Sequence, residues 1–511
     1  MSLFSPAYLA IVALLLVAVH MTRGLASPLR KLPGPTASLF TSLLLKWKEM
    51  NAARTIYIHA LHDEYGPVVR IAPNEVSFTS WAALKEIYCS GGSGYDKSDF
   101  YNLFRIYGRR TMFTTLNKAD HAKRKRILAD RYANTNIMRG ASLQGIQERS
   151  SAFLHRCTDA GSSATDVFVS RLNESNPDWN PERTLFADIL HQISLHAYAC
   201  DCVTHHLFHP NGSDCIGNKA DEEMMHQVAA DDSLQNRLIS HYSPALHRIF
   251  AGILSLFVKP RSVPLADKYV LETSKRTDAA SFTLMSRLEE KAAVVHHIDM
   301  AAECLDHMVA GIDTTGDTLC FLMWELSQPR SVHLQRRLTE ELRNNPELGI
   351  DQLPFLDAVL CEGLRCYPAI PMSLPRLVPQ GGRVIDGYSI PENTIVSCQP
   401  HSVHRMNKEV YPDPETFHPD RWMEAEGDAG RRRLLFSFSN GGRGCIGKHL
   451  AIAEMKMLLR DVYSRYYTTP DASMTAESMA MSDQLISARP LGKSCLLRFH
   501  VLPGTDIKEK C

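Results

Sequence analysis

No second cysteine stands within forty residues of Cys445 on either side, and the thirteen cysteines of the chain form no compact disulfide framework. They are odd in number and scattered from Cys89 to Cys511, which fits a reducing compartment. Zinc at Cys445 would want companion cysteines at short spacing, and there are none. Net charge is lacking as well. The 56 acids balance 56 bases, so no global attraction to acidic membranes follows and nucleic acid is not an expected partner. No internal repeat, low-complexity tract or domain linker divides the 511 residues. Cys200, Cys202, His205, His206, His209 and Cys215 have metal-ligand residue types but no regular finger spacing. They read as a polar loop with incidental histidines, with zinc as the lesser alternative.

Residues 3–21 are nearly all apolar, and about 20 such residues span a bilayer. Arg23, Arg30 and Lys31 follow, whereas the tail before the run has no basic side chain. The positive-inside rule then places the tail across the membrane and the body in the cytoplasm. The missing basic n-region argues against a cleaved signal peptide. The expected layout is an anchor over 1–23, a hinge over 24–36 containing Leu32-Pro33-Gly34-Pro35, and one body over 37–511. Asn173-Glu-Ser and Asn211-Gly-Ser match the glycosylation sequon, which a cytosolic body leaves unmodified.

Residues 436–447 read Phe-Ser-Phe-Ser-Asn-Gly-Gly-Arg-Gly-Cys-Ile-Gly. The glycines let the backbone turn tightly and press against a flat partner. Arg443 and the start of a helix spaced as Leu450, Ile452, Met455, Leu458, Leu459 and Val462 both favour a thiolate at Cys445. Such a thiolate could be a nucleophile, a cluster ligand or the axial ligand of a haem. A nucleophile wants a base, and His449 is nearby without its spacing making a catalytic pair. Haem needs a single protein thiolate.

The pattern Phe438-x-x-Gly441-x-Arg443-x-Cys445-x-Gly447 is identified as the signature of the cytochrome P450 family. The resemblance implies a mainly α-helical fold with a smaller β region, one large catalytic domain and haem b ligated by Cys445. It implies NADPH as the ultimate electron source through an NADPH–cytochrome P450 reductase, with cytochrome b5 as an optional second donor. The expected location is the endoplasmic reticulum membrane, single-pass, with the catalytic domain cytosolic. The expected activity is a monooxygenase that hydroxylates or epoxidises an apolar small molecule, in the manner of fungal members that make secondary metabolites. A haem-thiolate isomerase or dehydratase, and a haem sensor without turnover, are the alternatives.

Residues 297–326 form a proline-free helical stretch containing Ala310-Gly311-Ile312-Asp313-Thr314-Thr315. A glycine inside a helix costs ~1 kcal/mol against alanine, so Gly311 suggests close approach of something flat. The Thr314 hydroxyl can bond the Ala310 carbonyl and bend the helix, while Asp313 offers a carboxyl group for proton relay. The stretch resembles the family's oxygen-activation motif, which makes Thr314 and Asp313 catalytic and Gly311 a cofactor contact.

Glu362-x-x-Arg365 puts acid and base on one helix face, and the resemblance adds Arg421 to make a structural triad. The resemblance also makes Arg376 a propionate ligand, with Arg443 a further candidate. His121 and Lys125 lie one helical turn apart; the family carries arginine where Lys125 stands, so the propionate role falls to His121 with Lys125 or Arg126. Residues 66–80 suggest two strands, 91–116 a long glycine- and aromatic-rich loop, 140–290 a mostly helical region, 255–264 a connection between helices, and 384–396 a hairpin around Asp386-Gly387. Arg431, Arg432, Arg433, Lys448, Lys456 and Arg460, with residues 123–126, are expected to form a docking face for an acidic electron donor.

Overall fold

The computed structural model describes residues 6–160, 163–168, 191–192, 194–230, 234–254, 265–293 and 295–505. The sequon at Asn173 and the connection 255–264 lie outside the described residues. The helices that position the site are, in chain order, α1 (Pro6–Ala26), α2 (Leu43–Met50), α3 (Trp81–Cys89), α4 (Lys118–Leu128), α5 (Leu195–Phe208), α6 (Leu234–Tyr242), α7 (Pro244–Leu254), α8 (His297–Ser327), α9 (Pro354–Cys366) and α10 (Lys448–Tyr463).

The β structure is small and built from distant parts of the chain. Strands β1 (Val68–Ala72), β2 (Glu75–Phe78), β3 (Asp96–Lys97), β6 (Arg376–Leu377) and β9 (Ile395–Cys398) form one sheet in the order β1-β2-β9-β6-β3. A second sheet orders β10 (Tyr466–Pro470), β13 (Leu496–Val501), β4 (Ala164–Asp166) and β5 (His191–Gln192). Two hairpins stand apart, β7 (Arg383–Ile385) with β8 (Tyr388–Ile390), and β11 (Met481–Asp483) with β12 (Ala488–Pro490). The turn of the first is Asp386-Gly387, with φ of 47° and 79°. Positive φ at both central residues matches the right-handed twist of the strands.

Two expectations about local structure need correction, and a third, the mostly helical region 140–290, holds with an addition. Residues 91–116 hold β3 and a 3-10 helix, Asp99–Phe104, because β3 pairs with β6 and places Lys97 opposite Arg376. The region 140–290 contributes β4 and β5 as well as helices, since the C-terminal strand β13 recruits β4. The cluster at 200–209 is no polar loop. Every residue of α5 is buried: His205 lies against the Ala141 carbonyl at 3.1 Å, and His206 packs its ring on Tyr132 with neither ring nitrogen hydrogen-bonded. Cys200, Asp201 and Cys215 do meet, yet the Asp201 carboxylate accepts from Ser213 Oγ, Cys215 N and Ile216 N, which makes it the tie of a loop.

Helix α8 runs through the core and packs mainly against α5. Gly311 and Gly316 let the two approach: a Cβ at Gly311 would stand 2.8 Å from Val203, and one at Gly316 2.7 Å from the His196 ring. The helix ends at Ser327, with Gln328 as its cap and Pro329 next in the chain.

Helix α1 reaches Ala26, three residues beyond the expected anchor, and its stretch Leu9–Ala26 is long and apolar enough to cross a membrane. The hinge is pinned to the body. Arg70, buried in β1, donates to the carbonyls of Leu29, Leu32, Gly34 and Pro35, while its own backbone N–H donates to Pro33 O. Gly34, at φ 143°, lies so close to β1 that a Cβ would come within 2.4 Å of Arg70 O.

Candidate active site

The loop before α10 is closed by its own backbone. Cys445 N donates to Phe438 O at 2.9 Å and Gly444 N to Gly441 O at 3.0 Å. Gly441 and Gly442 are required by neighbouring chain: their Cβ atoms would strike Tyr88 O at 2.2 Å and Ser93 Oγ at 2.6 Å. The partner pressing on these two glycines is therefore the end of α3 and the turn after it. The Cys445 side chain is accessible although protein surrounds it, and burial raises its pKa. The backbone N–H groups of Gly447 and Lys448 and the charges of Lys125 and Lys448 oppose that shift. Arg443, two residues away, finds its hydrogen bond elsewhere.

Arg443 instead joins a buried group of cations. Its Nη2 donates to Leu116 O at 2.6 Å and stands 3.7 Å from Asp96, while Nε and Nη1 are buried without a hydrogen-bond partner. Burial and the charge of Arg376 push its pKa down to about 10. Arg376 donates to Tyr101 Oη at 2.8 Å and lies over the rings of Tyr88 and Tyr101. Lys97 was not foreseen. Its ammonium donates to Phe113 O and sits over the rings of Tyr101 and Phe113 at 4.4 and 4.5 Å. Burial, then the charges of Arg376 and Arg443, hold its pKa well below the usual lysine value. His121 is pushed down to about 3 by burial and by Lys97, Arg443, Lys125 and Arg376.

Lys125 and Arg126 separate cleanly. Lys125 Nζ donates to Gly442 O and Gly444 O at 3.1 and 2.8 Å, tying α4 to the cysteine loop. Arg126 is exposed and donates to Ala122 O of its own helix. It does not join the buried cations, which corrects its assignment.

On α8 the Thr314 hydroxyl donates to Ala310 O at 2.7 Å, and both residues are accessible on a helix whose flanking stretches are buried. Gly311 meets Val203, so its missing side chain serves helix packing. Asp313 Oδ2 pairs with Arg489 Nη2 at 3.1 Å; its Oδ1 is buried without a hydrogen-bond partner. Burial raises the Asp313 pKa against the lowering charge of Arg489. Arg489, carried by β12, was invisible to motif reading. Behind it, Asp317 Oδ1 meets His196 Nε2 at 3.1 Å.

The structure brings Glu362, Arg365 and Arg421 together in the core. Arg365 makes a two-point contact with Glu362 at 2.9 and 2.8 Å, and Arg421 Nε reaches Glu362 Oε1 at 3.1 Å. Trp422 Nε1 and His418 N complete the carboxylate's shell. Burial would raise the Glu362 pKa, but the bond and charge of Arg365 and the charge of Arg421 hold it below the ordinary value. His404 links this group to the cysteine loop, with Nδ1 at 2.9 Å from Arg365 O and Nε2 accepting from Phe436 N at 2.8 Å.

The expected docking face is narrower than its sequence. Arg431 is buried and donates to Glu424 O, and Lys456 is buried against Asp357 at 2.7 Å. Arg432, Arg433, Lys448, Lys123 and Arg126 remain exposed.

Fold and loop define a mainly helical protein organised around one cysteine, and its relatives give that class a name. The Cytochrome P450 family matches residues 220–496. Along 92% of its length the chain is 27% identical to cytochrome P450 monooxygenase stcB of Emericella nidulans, covering 88% of that protein. It is 26% identical over 92% of its length to cytochrome P450 monooxygenase aflV of Aspergillus parasiticus, covering 91% of it. Conidiogenone synthase PchP450 of Penicillium rubens is 28% identical over 84% of this chain and 86% of its own. The chain belongs to the cytochrome P450 family, and the family implies haem.

The residues fit that group. Two guanidinium nitrogens of Arg443, buried without hydrogen-bond partners beside Arg376 and Lys97, call for anions, and the haem propionates are two carboxylates. An accessible sulfur held by a closed loop suits the axial position.

Proposed function

We propose that this chain is a membrane-anchored monooxygenase that transfers one oxygen atom to an apolar small molecule in fungal secondary metabolism. Cys445 would be the axial ligand of haem b, and Lys97, Arg376, Arg443 and His121 would receive the propionates. When bound, haem supplies the redox chemistry for dioxygen. The protein's share is proton handling and exclusion of water. The Thr314 hydroxyl, fixed on Ala310 O, can hold a proton-bearing water, and Asp313 can pass a proton as its contact with Arg489 opens and closes. The observation that carries this reading is the Thr314–Ala310 bond with Asp313 beside it. A protein that only binds or rearranges its ligand has no use for proton delivery.

Electrons would come from NADPH through a flavoprotein reductase, docking where Arg432, Arg433, Lys448 and Lys123 are exposed. The stretch Leu9–Ala26 would hold the chain in the endoplasmic reticulum membrane. The test is turnover in membranes carrying the reductase, with NADPH and 18O2, on extract from a strain of the source organism lacking this gene. One precursor should gain a single labelled oxygen, and Arg432→Glu/Arg433→Glu should slow that without loss of haem. A product of equal mass, or one differing only by hydrogens, would overturn oxygen transfer; unchanged turnover in the variant would remove the docking face.

A further inference from the structure

Helix α8 carries Glu303, Asp306 and His307 within two turns of Ala310, and the proton route above uses none of them. Their spacing puts all three on one face of the helix. One oxygen or nitrogen from each lies within 4.8 Å of the other two. The histidine is only 8% exposed. Its Nδ1 shares a hydrogen with Tyr132 Oη at 2.6 Å, while its Nε2, buried and 3.5 Å from Glu303 Oε1, makes no hydrogen bond. Buried polar atoms are normally satisfied, so a lone imidazole nitrogen facing a carboxylate points to something between them.

Charge points the same way. Glu303 and Asp306 are both nearly buried, and the cations near them include Arg124, 3.5 Å from Glu303, and Lys97, which acts on Asp306 beside the Thr111 hydroxyl. Glu303 also accepts the Met112 N–H at both oxygens, at 2.8 and 3.1 Å. A carboxylate has lone pairs for that donor and an ion together.

We propose that Glu303, Asp306 and His307 form a binding site for Zn2+, with Tyr132 orienting the histidine and a cavity of about 230 Å3 beside Glu303 providing entry. One nitrogen and two carboxylate oxygens suit zinc, whereas magnesium and calcium favour oxygen-only sets. Three protein ligands leave a fourth position for water, which the cavity lined by Arg124, Asp299 and Glu303 can supply. Hydrogen bonding of the second imidazole nitrogen fixes tautomer and ring orientation at such sites. The bound ion would tie the segment around Met112 to α8, just N-terminal to Ala310.

The experiment uses the haem-loaded full-length protein in detergent, stripped with chelator and dialysed against Zn2+ in excess Mg2+, with bound metal read by mass spectrometry. Glu303→Gln, Asp306→Asn and His307→Gln should each bind one zinc fewer per chain than the parent at equal haem content. Tyr132→Phe should weaken that zinc about tenfold. Equal zinc content in the parent and all three ligand variants would overturn the site. Hydrogen exchange on the parent gives a readout independent of how the variants fold: zinc should slow the Met112 amide, and an unchanged rate would overturn the proposal.

Discussion

At Lys97 burial and two neighbouring guanidinium groups all disfavour the charge that the ammonium carries. The lysine sits opposite Arg376 because β3 pairs with β6, a register that brings together residues nearly three hundred positions apart. No local pattern in Tyr-Asp-Lys-Ser announces it, which is why sequence reading passed over this residue while finding Arg376 and Arg443. Lys97→Met should leave the haem-free protein as stable as the parent or more so, since a buried cation is removed. The same change should weaken haem retention about tenfold to a hundredfold, the loss of one charged hydrogen bond of about 1.5–3 kcal/mol. Melting of the haem-free protein and haem transfer to apomyoglobin measure the two effects. Unchanged haem retention would take Lys97 out of the propionate site.

Helices α8 and α10 share a polar contact, Thr315 Oγ1 donating to Glu454 Oε2 at 3.2 Å. Burial, partly opposed by that bond, raises the Glu454 pKa from 4.5 to about 8, and Oε1 has no hydrogen-bond partner. The folded protein therefore keeps a proton that the unfolded chain releases above pH 4.5. Stability tied to this proton is complete below pH 4.5 and is lost as pH rises through about 8. Glu454→Gln should melt close to the parent at pH 5 and increasingly above it toward pH 8. A melting difference that stays constant over that range would show that Glu454 is ionised in the fold.

The helices themselves were readable because their signals are local. Residues 297–326 lack proline, the spacing after Cys445 is helical, and Asp386-Gly387 is a favoured hairpin-turn pair. The histidines of α5 misled because their partners, Ala141 and Tyr132, come from other elements. The cysteine-loop glycines were recognised, but the neighbour that demands two of them, the end of α3, was not.

At the scale of the whole molecule, several exposed apolar side chains lie on α2 and α7. Leu43 and Trp47 of α2 are 71% and 66% exposed, and Ile249, Phe250 and Ile253 project from α7. Tyr242, at the end of α6, locks these elements together: its hydroxyl donates to Glu49 and its ring lies under Lys46 at 4.2 Å. The root of α1 packs nearby, with Gly24 against Phe40 and His20 meeting Phe40 O. Exposed apolar surface of this kind marks a contact with membrane or protein, and beside a helix long and apolar enough to cross a membrane the membrane is the reading we adopt. A chain lacking residues 1–26 should still sediment with phospholipid vesicles, and Trp47→Ser with Phe250→Ser should release it. A truncated chain that stays wholly in solution would confine attachment to α1. Only the apolar run at 3–21 was visible in the sequence; the apolar stripe of α7 means nothing until packing shows which face it leaves uncovered.

The claim on which the rest depends is that Cys445 is the axial ligand. It is tested by the reduced carbon-monoxide difference spectrum of the purified full-length protein beside Cys445→Ser. The parent should give the thiolate-ligated band, and the variant should lose that band completely. A parent spectrum typical of nitrogen-ligated haem, or an unaltered band in Cys445→Ser, would contradict the account.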